Sequence, residues 1–445
     1  MVKKDNGRIV YPFEPESHHK TILITKGRVI DPVNNRDEVM NVACKDGTVV
    51  SVSKAGPKGF SADCTIDARG LWVVPGLVDL HVHLREPGRE DKETIETGSQ
   101  AAAAGGFTAL VCMPNTSPAL DDASKISYVV KHAERCPCRV YPAGTITKDL
   151  AGDTLSPFEE MIKAGARAVS DDGKSVYKSN IMRSAFERSK MLGIPILCHC
   201  EDSDLSGCGL MNEGAVSAKL GLRGIPSVSE DIIVARDILL AEYTGAKLHV
   251  CHVSTAGSVE LIRRAKKRGV RVTAETCPHY IAFTEEACST LDTNKKMNPP
   301  LKTTKDRKAV IRGLADGTID VIASDHAPHR KQEKDASFQD APFGVIGLET
   351  MVGAAITYLI DTGILSPAEL IIKMSVNPNR VLGLKRGNLS AGSCADITLI
   401  DPKTKWKVDS TCFFSKSRNC VFEGMELSGL ARYTIREGTI VYKKE

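Results

Sequence analysis

Eight short, apolar, β-branched runs recur through the middle of the chain, and their spacing limits the fold more than any other feature. They are GLVDLHVHL at 76–84, FTALVCMP at 107–114, RVYPAGTI at 139–146, RAVSDDG at 167–173, PILCHCED at 195–202, KLHVCHVS at 247–254, VRVTAETCPH at 270–279 and DVIASDHAP at 320–328. Between them lie Ala-, Lys- and Glu-rich stretches of helical length, such as ETGSQAAAAGG, NIMRSAFERSKMLGI and SVELIRRAKKRG. Strands alternating with helices over roughly 300 residues predict an α/β fold, a (β/α)8 barrel of the TIM type. The flanks have another texture. TILITKGRVIDP, EVMNVACKDGTVVSVS, ADITLIDP and YTIREGTIVY are strand-sized runs broken by Asp-Gly and Asp-Pro signals. The ends of a folded unit often lie close together, so one small β-sandwich domain built from both termini is expected. The expected division is an N-terminal arm at 1–20, a composite β-domain at 21–74 plus 386–445, and a catalytic barrel at 75–385. The polar arm reads as loosely attached, and its His18-His19 pair as an exposed pair without function.

Composition narrows the class. A chain of 445 residues can bury a core without disulfide or metal staples. Its 59 basic and 55 acidic residues leave a formal charge of +4, with no concentrated basic stripe of the kind a nucleic-acid binder carries. Mean hydropathy is −0.15. No apolar run approaches the ~18 residues of a membrane span, and the N-terminus lacks the apolar stretch of a secretory signal. Several of the 14 cysteines, such as Cys112, Cys198 and Cys251, lie inside apolar runs, which points to a reduced, cytoplasmic protein. Cys136, Cys138, Cys198 and Cys200 lack the spacing of a structural zinc site and read as free thiols. Gly105-Gly106 reads as a helix stop, and no phosphate-binding loop is present.

Barrels of this type carry their chemistry at the C-terminal ends of the strands. Run one ends in His81-Val82-His83, run four in Asp171-Asp172, run five in Cys198-His199-Cys200, run six in Cys251-His252 and run eight in Asp325-His326. With 11 histidines in the chain, random placement would rarely bring so many to equivalent positions. Side chains on a strand alternate with period two, so His81 and His83 point to the same side, the barrel lumen. Paired neutral imidazoles suit Zn²⁺ or a similar divalent ion. His199 and His252 add enough ligands for a second metal, and two neighbouring cations need an anionic bridge. Asp172 is the natural one, although Asp171-Asp172-Gly173 is also a common turn sequence. Paired metals acidify a shared water and polarise a carbonyl. Asp325 could bind metal and shuttle a proton. Hydrolysis of a carbonyl or phosphoryl compound is the chemistry implied. Arg85 follows two residues after His83, on the same face, where a guanidinium can grip a carboxylate in bidentate fashion. Asn115 at the end of run two and His329 four residues past Asp325 could converge on the same anionic group.

Together, PGLVDLHVHLREPG, MPNT, SDDG, CHCE, CHVST, MNPPLK, ASDHAPH and FGVIGLET resemble the dihydroorotases. The similarity is to the bacterial type with an aspartate metal bridge, within the amidohydrolase superfamily. The motifs run from about 75 to 350 in family order, and the flanking β segments fit as well. The resemblance implies two Zn²⁺ per subunit. His81, His83 and Asp325 would hold one, His199 and His252 the other, and Asp172 would bridge. Arg85, Asn115 and His329 would clamp a substrate carboxylate, with His83 also reaching the substrate. Asn298 and the backbone at Phe343 and Gly344 would meet a pyrimidine ring, and Asp325 would be the catalytic proton carrier. The implied activity is the reversible cyclisation of N-carbamoyl-L-aspartate to dihydroorotate in pyrimidine synthesis. The implied partners are that small molecule, a second copy in a homodimer and aspartate transcarbamoylase, with no nucleic acid and no membrane.

Two other readings stay open. Allantoinases and hydantoinases share the fold and the HxH pair but carry a carbamylated lysine on strand four. Here RAVSDDG has no lysine inside it, only Lys174 beyond. A catalytically inactive scaffold for aspartate transcarbamoylase would have lost metal ligands that this chain keeps. The sequence departs from the family pattern in its long arm and in Cys277 and Tyr280 of TCPHY.

Overall fold

The computed structural model describes residues 3–5, 8–11, 13 and 20–444. Each of the eight runs contains one strand of a parallel sheet: β1 Leu77–Val82, β2 Phe107–Cys112, β3 Arg139–Gly144, β4 Ala168–Val169, β5 Pro195–Cys198, β6 Lys247–Val250, β7 Val272–Thr276 and β8 Val321–Ile322. Their order in the sheet is their order in the chain. A single bridge between Val82 and His326, with the His83 amide donating to the His326 carbonyl at 2.8 Å, draws the two edges together. The expected (β/α)8 barrel is thus borne out. Helices Ile95–Gly105, Ala123–His132, Phe158–Lys163, Ser179–Leu192, Val228–Thr244, Ala256–Lys267 and Thr304–Ala315 follow the first seven strands. The first begins where the Thr94 side chain accepts from the Thr97 amide and stops at Gly106, whose φ of 96° is left-handed.

Strands covered on both faces read as continuous apolar runs, yet their alternation still sorts the side chains. Leu110, Cys112, Val140, Val169, Ile196, Cys198, Leu248, Val250, Val272 and Ala274 join the large core under the helices. Val78, Ala109, Val111, Ala143, Ala168, Leu197, Cys251 and Val321 form a separate cluster that fills the lumen, together with Val381 and Leu382. The polar site stands above this plug.

The second sheet joins both ends of the chain. Its path runs Lys3–Asp5, Arg8–Val10, Thr439–Lys444, Glu426–Arg436, Ile397–Lys407, Trp72–Pro75, Thr21–Asp31, Arg36–Lys45 and Thr48–Ser53, with Cys64–Asp67 paired beside Thr21–Asp31. The Thr398 hydroxyl donates to the Gly106 carbonyl at 2.7 Å and the Thr434 hydroxyl to that of Ala103 at 2.6 Å, fixing this sheet to the first barrel helix. One expectation is corrected. The described part of the N-terminal arm is docked, because Arg8–Val10 pairs with the last strand and Val10 and Phe13 are buried. The Arg436 guanidinium lies 3.7 Å over the Phe13 ring. His18 and His19 lie outside the described residues. Among the described residues, no helix is long and apolar enough to cross a membrane.

Candidate metal centre

The strand ends bring His81, His83, Asp172, His199, His252 and Asp325 to one place at the top of the lumen, all of them buried. For Asp172, parity along the strand explains the placement. After β4, Asp171 turns outward, and its carboxylate accepts from the Ile146 and Thr147 amides at 2.8 and 3.0 Å and from the Thr147 hydroxyl. Asp172, one residue on, turns inward. Its Oδ1 lies 3.2 Å from His81 Nε2, 3.7 Å from His252 Nε2 and 3.8 Å from His199 Nδ1, and its Oδ2 lies 3.4 Å from His83 Nε2. Asp325 Oδ1 stands 3.3 Å from His83 Nε2 and 3.6 Å from His81 Nε2. His252 and Asp325 hold left-handed φ values of 35° and 48°, and Arg85 one of 62°. Such backbone strain in residues other than glycine clusters at functional sites.

The donor set fits divalent cations. His81, His83 and Asp325 present one group of close ligand atoms, and His81, Asp172 and His252 present another. Both His81 Nε2 and Asp172 Oδ1 are buried without a hydrogen-bond partner. Burial disfavours a charged Asp172, yet the imidazoles of His81, His252 and His83 outweigh it and hold the carboxyl well below its usual range. Asp325 is likewise held down against its burial, chiefly by the hydrogen bond from His83.

A basic corner adjoins this cluster. Arg85 is half-buried and donates to the Pro328 carbonyl at 3.1 Å, with His329 Nε2 3.5 Å away, and among the described residues no carboxylate forms an ion pair with it. His329 Nε2 is 2.8 Å from the Phe343 carbonyl, while Lys92 Nζ sits 3.1 Å from its Nδ1. Burial, reinforced by the charges of Arg85, Lys92 and Lys334, pushes His329 down to about 2, so its ring is neutral. Burial also lowers Arg85 to about 10 and Lys334, beside Lys296, to about 7.

The other expected substrate residues distribute differently. Asn115 sits on the metal side, its Oδ1 2.9 Å from His83 Nδ1 and its amide 3.4 Å from Asp172 Oδ2. Asn298 donates to Glu201 at 2.7 Å, and Glu201 faces His199 Nε2 at 3.1 Å. The Gly344 amide donates to the Lys296 carbonyl at 3.0 Å, and its own carbonyl accepts from Lys334. Sequence reasoning overlooked Glu201, Glu275, Lys92 and Lys334. Each has a partner far away in sequence, so no local signal marks them.

Comparison with known proteins comes to the same place. A family profile described as Dihydro-orotase-like matches residues 70–258. A dihydroorotase of Pelotomaculum thermopropionicum is 51% identical over 421 residues, covering 94% of this chain and 98% of that protein. One of Geobacter metallireducens is 50% identical over 95% of this chain and all of its own length. Among solved structures, an L-hydantoinase (dihydropyrimidinase) from Arthrobacter aurescens superposes with a TM-score of 0.85 at 26% identity, covering 95% of this chain and 96% of that one.

Proposed function

This chain belongs to the dihydroorotase family, and on that premise we propose how its lumen performs the reversible cyclisation of N-carbamoyl-L-aspartate to dihydroorotate and water, a step of pyrimidine biosynthesis. The observation that carries the assignment is Arg85. A half-buried guanidinium with no carboxylate partner among the described residues, next to a histidine–aspartate cluster, is suited to receive an anion. Dihydroorotate and N-carbamoyl-L-aspartate both carry that carboxylate.

His81, His83 and Asp325 would hold one divalent cation and His199 and His252 a second, with Asp172 between them. Bound there, such ions polarise an amide carbonyl and acidify water. Arg85 grips the substrate carboxylate, and the neutral His329 adds directional hydrogen bonding without competing charge. Asn298 and the turn at Phe343 and Gly344 flank the ring. In the hydrolytic direction water adds to the ring amide carbonyl. Asp325, kept ionised, takes the proton of the attacking water and delivers it to the departing ring nitrogen. In the biosynthetic direction the same carboxyl group returns the proton as water leaves.

The same reading gives the cations as Zn²⁺, which the imidazole-rich donor set favours. It assigns the chemistry to 75–385 and a supporting role to 21–74 with 386–445. A cytoplasmic setting agrees with the burial of thiols such as Cys112, Cys198 and Cys251 inside the barrel strands and their ends. A homodimer and an association with aspartate transcarbamoylase complete it, both drawn from the family resemblance. The test is elemental analysis of the purified protein alongside turnover of dihydroorotate, allantoin and hydantoin. Metal with preferential turnover of dihydroorotate is expected. Faster turnover of hydantoin or allantoin would overturn the assignment.

A further inference from the structure

Below the candidate ligands the lumen holds a polar chain that the proposed chemistry does not use. Glu275 on β7 is fully buried. Its Oε1 lies 2.8 Å from His81 Nδ1, and its Oε2 lies 3.1 Å from Nε2 of His249, a fully buried residue of β6. His249 Nδ1 in turn lies 2.8 Å from the Thr273 hydroxyl. Register explains the alignment. His249 pairs directly with Thr273 across β6 and β7, and Thr273 and Glu275 share the lumen face by period two. Thr273 also lines a cavity with Pro195, Arg271, Asp320 and Arg380. The contacts are therefore continuous from that cavity up to His81.

We propose that Glu275, backed by His249, is a positioning residue that fixes the tautomer and ring plane of His81 and thereby the retention of metal at His81 Nε2. The inference rests on His81 being a ligand. An ionised carboxylate only accepts, so the hydrogen between Glu275 and His81 belongs to Nδ1, and a neutral ring then carries its lone pair on Nε2. That Nε2 is a buried atom without a hydrogen-bond partner, 3.2 Å from Asp172. Carboxylates placed this way behind ligating histidines typically govern metal affinity by 10–100-fold. A carboxylate serving only as core filler would be a poor choice at full burial, since an apolar side chain fills the same space without desolvating a charge.

The test uses the metal-loaded enzyme and three variants. Glu275→Leu removes the acceptor, Glu275→Gln keeps an acceptor oxygen without the charge, and His81→Asn removes the ligand. Metal content after gel filtration, transfer of metal to a chromogenic chelator, kcat and KM for dihydroorotate, and the Tm of metal-free protein are measured. Glu275→Leu is expected to lose metal or release it at least tenfold faster, with kcat falling in step and KM within about twofold of the parent. Glu275→Gln should fall between the two. Should Glu275→Leu fail to fold, the Gln variant decides by the same release rate, and a parental rate overturns the proposal. A lowered metal-free Tm with parental content and release would show a structural role only, and would also overturn it. If His81→Asn loses metal while Glu275→Leu keeps it, this inference falls and the ligand assignment stands. If His81→Asn retains full metal, both fall.

Discussion

Asp171 and Asp172 are neighbours in sequence with opposite surroundings. Asp171 anchors the loop at Ile146 and Thr147, and Asp172 faces four imidazoles. Asp172→Ala is therefore expected to lose at least one metal by elemental analysis. Asp171→Ala should bind both while melting at lower temperature, because two buried amides lose their acceptor. Apoprotein should regain activity with metal alone. A bicarbonate requirement, or the reverse pattern in the two variants, would contradict the aspartate bridge. Asp325→Asn should fold and load metal but lose ~10²–10⁴ of the turnover rate, the usual contribution of a positioned acid–base group. Retention of more than about a third of the parental rate would remove Asp325 from that role. Arg85→Met should impair dihydroorotate far more than a neutral dihydrouracil-type ring. Equal losses on the two substrates would mean that the guanidinium only holds the Pro328 loop in place. Asp171, Asp172 and Asp325 were legible because they stand at the ends of apolar runs, and Arg85 because it directly follows one. Glu275 was not, since its partner His81 lies 194 residues away and nothing local to TAETC announces that pairing.

The eight strands were readable for a physical reason. Cover on both faces makes each one an unbroken apolar run, even where only Ala168–Val169 or Val321–Ile322 remains regular. Loops carry no such pattern, and the arrangement of the basic corner was hidden with them. The loop after β1 crosses the loop after β2 at Gly88, where φ is 96° and a Cβ would stand 1.7 Å from the Ser117 carbonyl oxygen. Gly88→Ala must push the two loops apart and move Arg85 with them. The expected result is a loss of about 1–3 kcal/mol of stability, within the usual range for strained backbone, and a raised KM for dihydroorotate. Calorimetry and steady-state kinetics decide the matter, and unchanged Tm and KM would show that the crossing tolerates the methyl group.

At the scale of the molecule, a charged seam joins barrel to terminal sheet. Asp396 lies 3.2 Å from Arg139 and 2.5 Å from Arg386, and Glu437 lies 2.6 Å from Arg139. Burial opposes the charge on Asp396, but Arg139 and Arg386 hold its carboxyl below the ordinary range. Asp396→Ala would leave Arg139 and Arg386 with Glu437 as their remaining carboxylate partner, at a cost of about 1–3 kcal/mol. The sign of the pH dependence follows. A carboxyl depressed in the folded state contributes its full stability above the unfolded value of about 4, and loses it as pH falls toward the folded one. Denaturant melts between pH 6 and pH 3 should show the parent losing stability in that window and Asp396→Ala losing less. Parallel curves would place the acid sensitivity elsewhere.

The barrel has a seam, and it lies where His81 and Asp325 meet. The Ser324 amide reaches Asp79 across 245 positions of sequence, and a single bridge between Val82 and His326 spans the two edges. A growing chain that has emitted only its first strands holds half of a binding site and cannot assemble the rest. The contact between His83 and Asp325 thus exists only once synthesis has reached the eighth strand, whereas His81, Asp172, His199 and His252 have all been translated before it.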